Sequence, residues 1–302
     1  MHNQEAVMKN IETKWLEDFL TLEETRNFSQ AAENRNISQS AFSRRIIALE
    51  ESVGVKLFSR GSLPLQLTEE GKLFHSQARN LLKQLQYNLD ELQGQNTQNK
   101  PNITFAAAHS LSLSVMPKLI SDIGQSHHQF IYSVEAIDVD QTVKTLVEGK
   151  SDFIFSFYDD LLSQEPFLSK EILESKLYPV SAIDQNKEAI FNFSQNSIPL
   201  LNYTKQSYMG RLVNRKLNLY AHLNFRTMFV SSMSELLKKM VLNKQGIAWL
   251  PEYSIKDELK QNKLIILNDN ELTIPIKAYI YRINSRLNSY AEQFWLSLDK
   301  KI

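Results

Sequence analysis

The strongest constraint on this chain is a change of hydrophobic period across one apolar-free stretch. Gln93 to Lys100 (Gln-Gly-Gln-Asn-Thr-Gln-Asn-Lys) carries no apolar side chain. A stretch with nothing to bury acts as a linker. Before it, apolar residues recur at helical spacing; after it, short apolar runs alternate with helical ones. The two patterns occupy separate blocks, so the 302 residues predict a small helical domain joined to a larger α/β domain.

In the first block, Trp15, Leu16, Phe19, Leu20 and Leu22 give one helical face, with Thr13 as candidate N-cap. A short second helix follows, with Ser29 as cap and Ala31 and Ala32 at its centre. Ser38 caps a third, which carries Phe42, Ile46, Leu49 and Val53 on one face. Gly54 ends it. Val55, Leu57 and Phe58 are expected to be buried. Residues 60–64 read as a turn, and Leu65-Gln66-Leu67 as a short strand.

Thr68-Glu69-Glu70 starts a long helix, with acids where the dipole favours them. Ala78, Leu82, Leu85, Leu89 and Leu92 follow at gaps of four, three, four and three, which is a heptad seam. Two readings stand: self-association through the seam, or packing of the helix onto its own domain.

Residues 28–58 carry the chemistry. Two short helices joined by a tight turn, the second with Ser38, Gln39, Ser40, Ser43 and Arg44 along one side, follow helix-turn-helix logic. Such a helix fits the major groove. Gln and Arg can read base edges, while Ser side chains and helix N-termini suit phosphates. Ser29 and Gln30 open the preceding helix, and Arg60 can hold the flanking backbone. Charge discriminates weakly: the chain has 34 basic and 34 acidic residues, and residues 1–100 have 12 basic and 13 acidic. Only residues 38–60 are locally positive, with Arg44, Arg45, Lys56 and Arg60 against Glu50 and Glu51. A helical domain with a merely polar surface is the competing reading.

The motifs resemble the LysR-type transcriptional regulators. Phe28-Ser29-Gln30-Ala31-Ala32, Ser38-Gln39-Ser40-Ala41-Phe42-Ser43, Ile46, Leu49-Glu50, Gly54-Val55, Leu57-Phe58 and Leu67-Thr68-Glu69-Glu70-Gly71 fall on that family's pattern in order. Ser40 departs from it, where proline is usual. The resemblance spans essentially the whole chain. It implies an α/β protein with an N-terminal all-α winged helix-turn-helix (11–68), a linker and dimerisation helix (69–93) and a hinge (94–101). A two-lobed, periplasmic-binding-protein-like effector domain (102–302) follows, with lobe I about 102–172 and 274–302 and lobe II about 173–273. It also implies double-stranded promoter DNA as partner, and a homodimer that assembles further into a tetramer or larger.

Beyond Pro101, strands are expected at 103–108, 130–136, 153–157, 176–182, 199–203, 226–231, 246–250 and 274–281. Helices are expected at 111–123, 139–147, 207–221, 233–244, 251–260 and 288–299. This alternation predicts parallel sheets covered by helices. Ligands in such sheets bind beyond the carboxyl ends of strands. Those ends carry His109, Ser110 and Ser112, then Tyr203 and Thr204, then Ser232, which form the expected effector cleft for a small anion or an oxidant. Met209 and Met233 lie beside them.

A narrower resemblance, to a hypochlorite-responsive branch of the same family, covers residues 106–113, 135–140, 207–211, 231–238 and 246–253. It implies redox sensing by Met209 and Met233. The chain has no cysteine, which excludes thiol sensors, disulfides and zinc–thiolate sites. A sulfoxide turns an apolar thioether into a polar acceptor, able to accept from free N–H groups at a helix start or to disturb packing. Met116, Met228 and Met240 read as core.

His109 lacks an orienting partner for acid–base work, and His127-His128 lacks companion ligands, so neither metal, cofactor nor catalytic centre is expected. The polar N-terminus and the absence of an apolar run of ~18 residues predict a cytoplasmic protein without membrane contact. Three readings remain: an oxidant-sensing regulator, a regulator of metabolic genes answering a small anionic metabolite, and a solute-binding protein or enzyme with a helical accessory domain.

Overall fold

The structure is a computed structural model, and it describes residues 10–59, 61, 64–93, 102–124, 131–267 and 271–299. The chain divides into two compact units. The first holds α1 (Thr13–Thr25), α2 (Phe28–Asn34), α3 (Gln39–Val53), β1 (Phe58–Ser59), β2 (Gln66–Leu67) and α4 (Glu69–Leu92). Its core is Leu16, Phe19 and Leu22 of α1, Ala31 and Ala32 of α2, Phe42, Ile46 and Leu49 of α3, and Leu57, Phe58 and Ala78. Phe19 is fully buried, with ring centroids of Phe58 and Phe74 at 5.3 and 5.1 Å. Burying such a side chain contributes about 1.5–3 kcal/mol.

The caps show how local chemistry sets the boundaries. Thr13 is the first helical residue of α1 rather than its cap, which is Glu12. Asn27, not Ser29, caps α2: its side chain accepts from the amides of Ser29 and Gln30. Ser38 caps α3 by accepting from Ala41 N, and Gly54 closes it at φ 79°. Thr68 caps α4, its Oγ1 accepting from Gly71 N at 2.9 Å. Gly71 is obligatory there, because a Cβ would lie 2.1 Å from the Leu57 carbonyl oxygen. The antiparallel pair β1–β2 forms the wing. Val55 is 42% exposed rather than buried, since the chain turns outward after Gly54.

The second unit holds β3 (Asn102–Ala108), α5 (His109–Ser114), α6 (Met116–Gly124), β4 (Ile131–Ile137), α7 (Val139–Val147), β5 (Phe153–Phe157), β6 (Phe167–Ala182), β7 (Ile198–Tyr203), α8 (Tyr208–Leu219), β8 (Phe225–Ser231), α9 (Ser234–Leu242), β9 (Ala248–Pro251), α10 (Glu252–Lys260), β10 (Leu264–Ile266), β11 (Ile274–Ile283) and α11 (Ser289–Leu298). The single helix expected over 111–123 is two. Pro117 has no N–H to carry the first helix onward, so α5 ends at Ser114 and a second helix starts with the proline in its first turn.

The sheets are mixed rather than parallel. Parallel pairs are β3 with β4 and β5, and β7 with β8. Antiparallel pairs form around β6, a 16-residue strand expected only in its second half. Its first part, to Leu177, pairs with β11. Its second part pairs with β9 on one edge and β10 on the other. A Leu200–Ile247 bridge joins β7 to the segment entering β9. One half of the unit is therefore β4–β3–β5–β11, the other β8–β7–β9, and β6 runs through both. The first half packs Phe105 and Phe153 against Phe294 of α11. The second packs Phe225 and Phe193 on Trp249, whose indole N–H donates to Leu272 O at 2.8 Å.

Candidate functional site

The helical unit presents α3 much as the sequence suggested. Ser38, Gln39, Ser40 and Arg44 are exposed, and Ser43 is half-buried. Ser29 and Gln30 are exposed at the start of α2. The Gln30 amide donates to Glu33 and Asn34 of its own helix, so it is partly occupied. Arg60 lies outside the described residues, as do the expected hinge 94–101 and His127-His128. Arg45, next to the exposed Arg44, points inward and reaches the Asp18 carboxylate.

The α4 seam splits. Ala78 is buried in the core of its own unit and Leu82 packs against that core. Further along, Leu85, Leu89 and Leu92 are 40, 42 and 84% exposed, and Leu81 is 56% exposed beside them. Both readings of the helix thus have residues: the first turns fill the domain, and the last ones leave apolar surface unburied.

In the second unit, two of the expected cleft residues enter hydroxyl pairs, one half-buried and one buried. Ser110 Oγ lies 2.8 Å from the Tyr253 hydroxyl, linking α5 to α10. The Tyr203 hydroxyl donates to Ser234 Oγ at 2.9 Å, linking β7 to the start of α9. Burial pushes the hydroxyls of Tyr253 and Tyr203 far above the ordinary phenol range, so both stay protonated and neutral. Tyr253 was not among the residues anticipated, because nothing local marks a tyrosine as a partner of a serine 143 residues away. Ser112 donates to His109 O within α5. Thr204 serves through its backbone, its carbonyl accepting from Ser207 N and Oγ. Ser232 is half-buried in the turn before α9.

The two methionines occupy different environments. Met209 is 5% exposed, in the first turn of α8. That turn is already capped, Ser207 Oγ accepting from Gly210 N at 3.1 Å. It sits hard against the end of β7, because a Cβ on Gly210 would fall 1.9 Å from Thr204 O. Met233 is 38% exposed and is itself the N-cap residue of α9, which has no side-chain cap. Of the methionines expected in the core, Met116 is buried and Met240 half-buried. Met228 is 52% exposed: it falls where the register of β8 on β7 shifts, between Thr227 opposite Leu200 and Phe229 opposite Leu201.

The first turn of α8 also reaches the other half of the unit. The Tyr208 ring stacks on Phe157 of β5, centroids 4.8 Å apart and planes within 10°. Arg211 makes a two-pronged contact with Asp140 of α7, at 3.0 and 3.2 Å, and donates to Gln206 O. The hydrogen bond to Asp140 holds the guanidinium pKa above its usual value. Burial pushes the Tyr208 hydroxyl up to about 12. These contacts join residues 51 and 71 positions apart, a distance over which spacing carries no signal.

Among the described residues, no helix is long and apolar enough to cross a membrane. Residues 13–72 match the family described as bacterial regulatory helix-turn-helix protein, lysR family, and residues 96–301 match the LysR substrate binding domain. The chain is 56% identical over 293 residues to the HTH-type transcriptional regulator YjiE of Escherichia coli, covering 97% of this chain and 96% of that one. It is 55% identical to full-length HypT of Salmonella typhimurium, a hypochlorite-specific LysR-type transcriptional regulator, with TM-score 0.64 and coverage of 97% and 99%. The bromide-bound regulatory domain of that protein matches at 51% identity and TM-score 0.62, covering 67% of this chain and 95% of that one. A helix-turn-helix unit whose third helix exposes one polar face, followed by an α/β unit with hydroxyls and methionines at its strand ends, is thus found in a chain that belongs to the LysR family of DNA-binding transcriptional regulators.

Proposed function

We propose that this regulator senses hypochlorite by oxidation of methionine in its effector domain and changes its DNA binding in response. The observation that carries the reading is the position of Met209 and Met233 at the starts of α8 and α9, beyond β7 and β8, in a cysteine-free chain. Each thioether sulfur loses two electrons to hypochlorous acid. The sulfur gains the oxygen, and chloride and a proton leave. The two sites then act differently. At Met233 the new oxygen can accept from the uncapped amides of α9. At buried Met209 it forces a polar group into packed surroundings. Met233 is the more accessible, and so reacts first.

In this reading Ser29, Gln30, Ser38, Gln39, Ser40, Ser43, Arg44 and Arg60 contact promoter DNA in the cytoplasm, and the domain limits are those expected from sequence. Dimers form through Leu85, Leu89 and Leu92 and assemble further, because paired half-sites need paired reading helices. A second reading, that a small anion binds among His109, Ser110, Ser112, Tyr203, Thr204 and Ser232, is favoured by the bromide held by the HypT regulatory domain.

The test is peptide mapping of methionine sulfoxide after limited hypochlorite, paired with DNA affinity before and after. The expected result is sulfoxide at Met233 and Met209 with a parallel change in affinity, lost in Met209→Ile with Met233→Ile. An unchanged response in that double variant refutes methionine sensing. A thermal shift with small anions in the absence of oxidant supports the second reading.

A further inference from the structure

Asp18 of α1 is an acid with no exposed surface, and its two oxygens are held by different elements. Oδ1 accepts from Arg35 Nε at 2.7 Å, and Oδ2 from Arg45 Nη1 at 3.2 Å. Arg35 ends α2, at the turn, and its Nη2 also reaches Glu17. Arg45 belongs to α3. One carboxylate therefore ties all three helices of the reading unit together. Arg44 and Arg45 are neighbours in sequence, and successive helical residues point about 100° apart. The chain uses this to send Arg44 outward to solvent and Arg45 inward to Asp18.

Cations beside a duplex bind it without regard to sequence, by releasing condensed counterions. Arg35 and Arg45 are 27 and 30% exposed and sit on the turn and on α3, so untethered they join that pool. We infer that Asp18 is a specificity-determining residue of the DNA-binding unit: it sequesters Arg35 and Arg45 from phosphates and fixes the roll of α3, leaving Arg44 to make the contact. This rests on α3 being the reading helix. It acts through other residues, so Asp18 is a positioning group and does not touch DNA.

The experiment measures affinity of the full chain for a random-sequence duplex across a salt series, comparing Arg44→Gln, Arg45→Gln and Asp18→Asn. Arg44→Gln is expected to weaken binding and lower the log–log salt slope by about one ion. Arg45→Gln is expected to leave affinity and slope unchanged, because its charge is already engaged. Asp18→Asn is expected to raise random-duplex affinity at least threefold and steepen the slope by about one to two ions. If Arg45→Gln lowers the slope as Arg44→Gln does, sequestration is wrong. If Asp18→Asn folds, as judged by its unfolding transition, and leaves the slope unchanged, Asp18 is a structural strut only. If Arg44→Gln alone has no effect, the reading of α3 fails, separately from the role of Asp18. Arg45→Gln keeps the Asp18–Arg35 pair, so the comparison stands even if Asp18→Asn does not fold.

Discussion

Met233 occupies an N-cap position without the chemistry of a cap. Its backbone has the extended geometry of a cap, φ −97° and ψ 113°, yet a thioether cannot do the work of an oxygen acceptor, and α9 has no side-chain cap. Replacing Met233 by serine supplies an acceptor; replacing it by alanine does not. Both variants lose the same partly exposed thioether, so its loss cancels in their difference. The remainder is the cap, about 1 kcal/mol within a range of 0.5–2. That energy corresponds to roughly fivefold in an equilibrium. Native-state hydrogen exchange localises it: the amides at the start of α9 should open about fivefold less often in Met233→Ser than in Met233→Ala. Global melting is a poorer readout, because two units need not unfold together. Equal protection in the two variants refutes the reasoning. The start of α9 would then gain nothing from an acceptor, and a sulfoxide at Met233 would have nothing to cap.

Three further outcomes follow from the geometry. A double-mutant cycle on Arg211→Ala and Asp140→Ala, read by urea unfolding, should give a coupling of about 0.5–1 kcal/mol that falls with salt, since both partners are about half exposed. Tyr208 is held neutral by burial, with its pKa raised to about 12. Its stabilisation is full below the unfolded phenol value of about 10 and is lost between there and 12, so Tyr208→Phe should flatten the loss of stability over that alkaline window. Leu85→Glu, which alters an exposed seam residue rather than buried Ala78, should reduce the assembled mass in light scattering without lowering the stability of the helical unit.

The helical unit was largely legible because its signals are local. Ser38 and Gly54 bound α3 by their own chemistry, and the apolar spacing of Phe42, Ile46 and Leu49 marks the buried face. Asn27 displaced Ser29 as the cap of α2 because an Asn carbonyl can reach two amides at once. In the effector unit the strand ends were legible, but their partners were not. Ser110 meets Tyr253 and Arg211 meets Asp140 only after the sheet is assembled. The first half of β6 was missed because Phe167 to Ser175 lies mostly half-buried at an antiparallel pairing, with no run of fully buried residues to mark it. Asp18 carries no local signal of burial, and only the folded unit shows it enclosed by two arginines.

The course of β6 and β11 has a consequence for how this protein can be cut and rebuilt. The chain leaves the first half of the unit along β6 and returns along β11, and Leu177 faces Ile274 directly across that ladder. Everything between these two residues is therefore an insertion at the tip of a hairpin. A two-residue turn suffices to close such a pair. Deleting residues 178–273 and joining the strands by Asn-Gly would leave β4–β3–β5–β11–β6 as one continuous sheet. The excised segment carries Met209 and Met233, and exchanging it between relatives requires that the contacts it makes across the cut, Tyr208 on Phe157, Arg211 on Asp140 and Tyr253 on Ser110, be carried over with it.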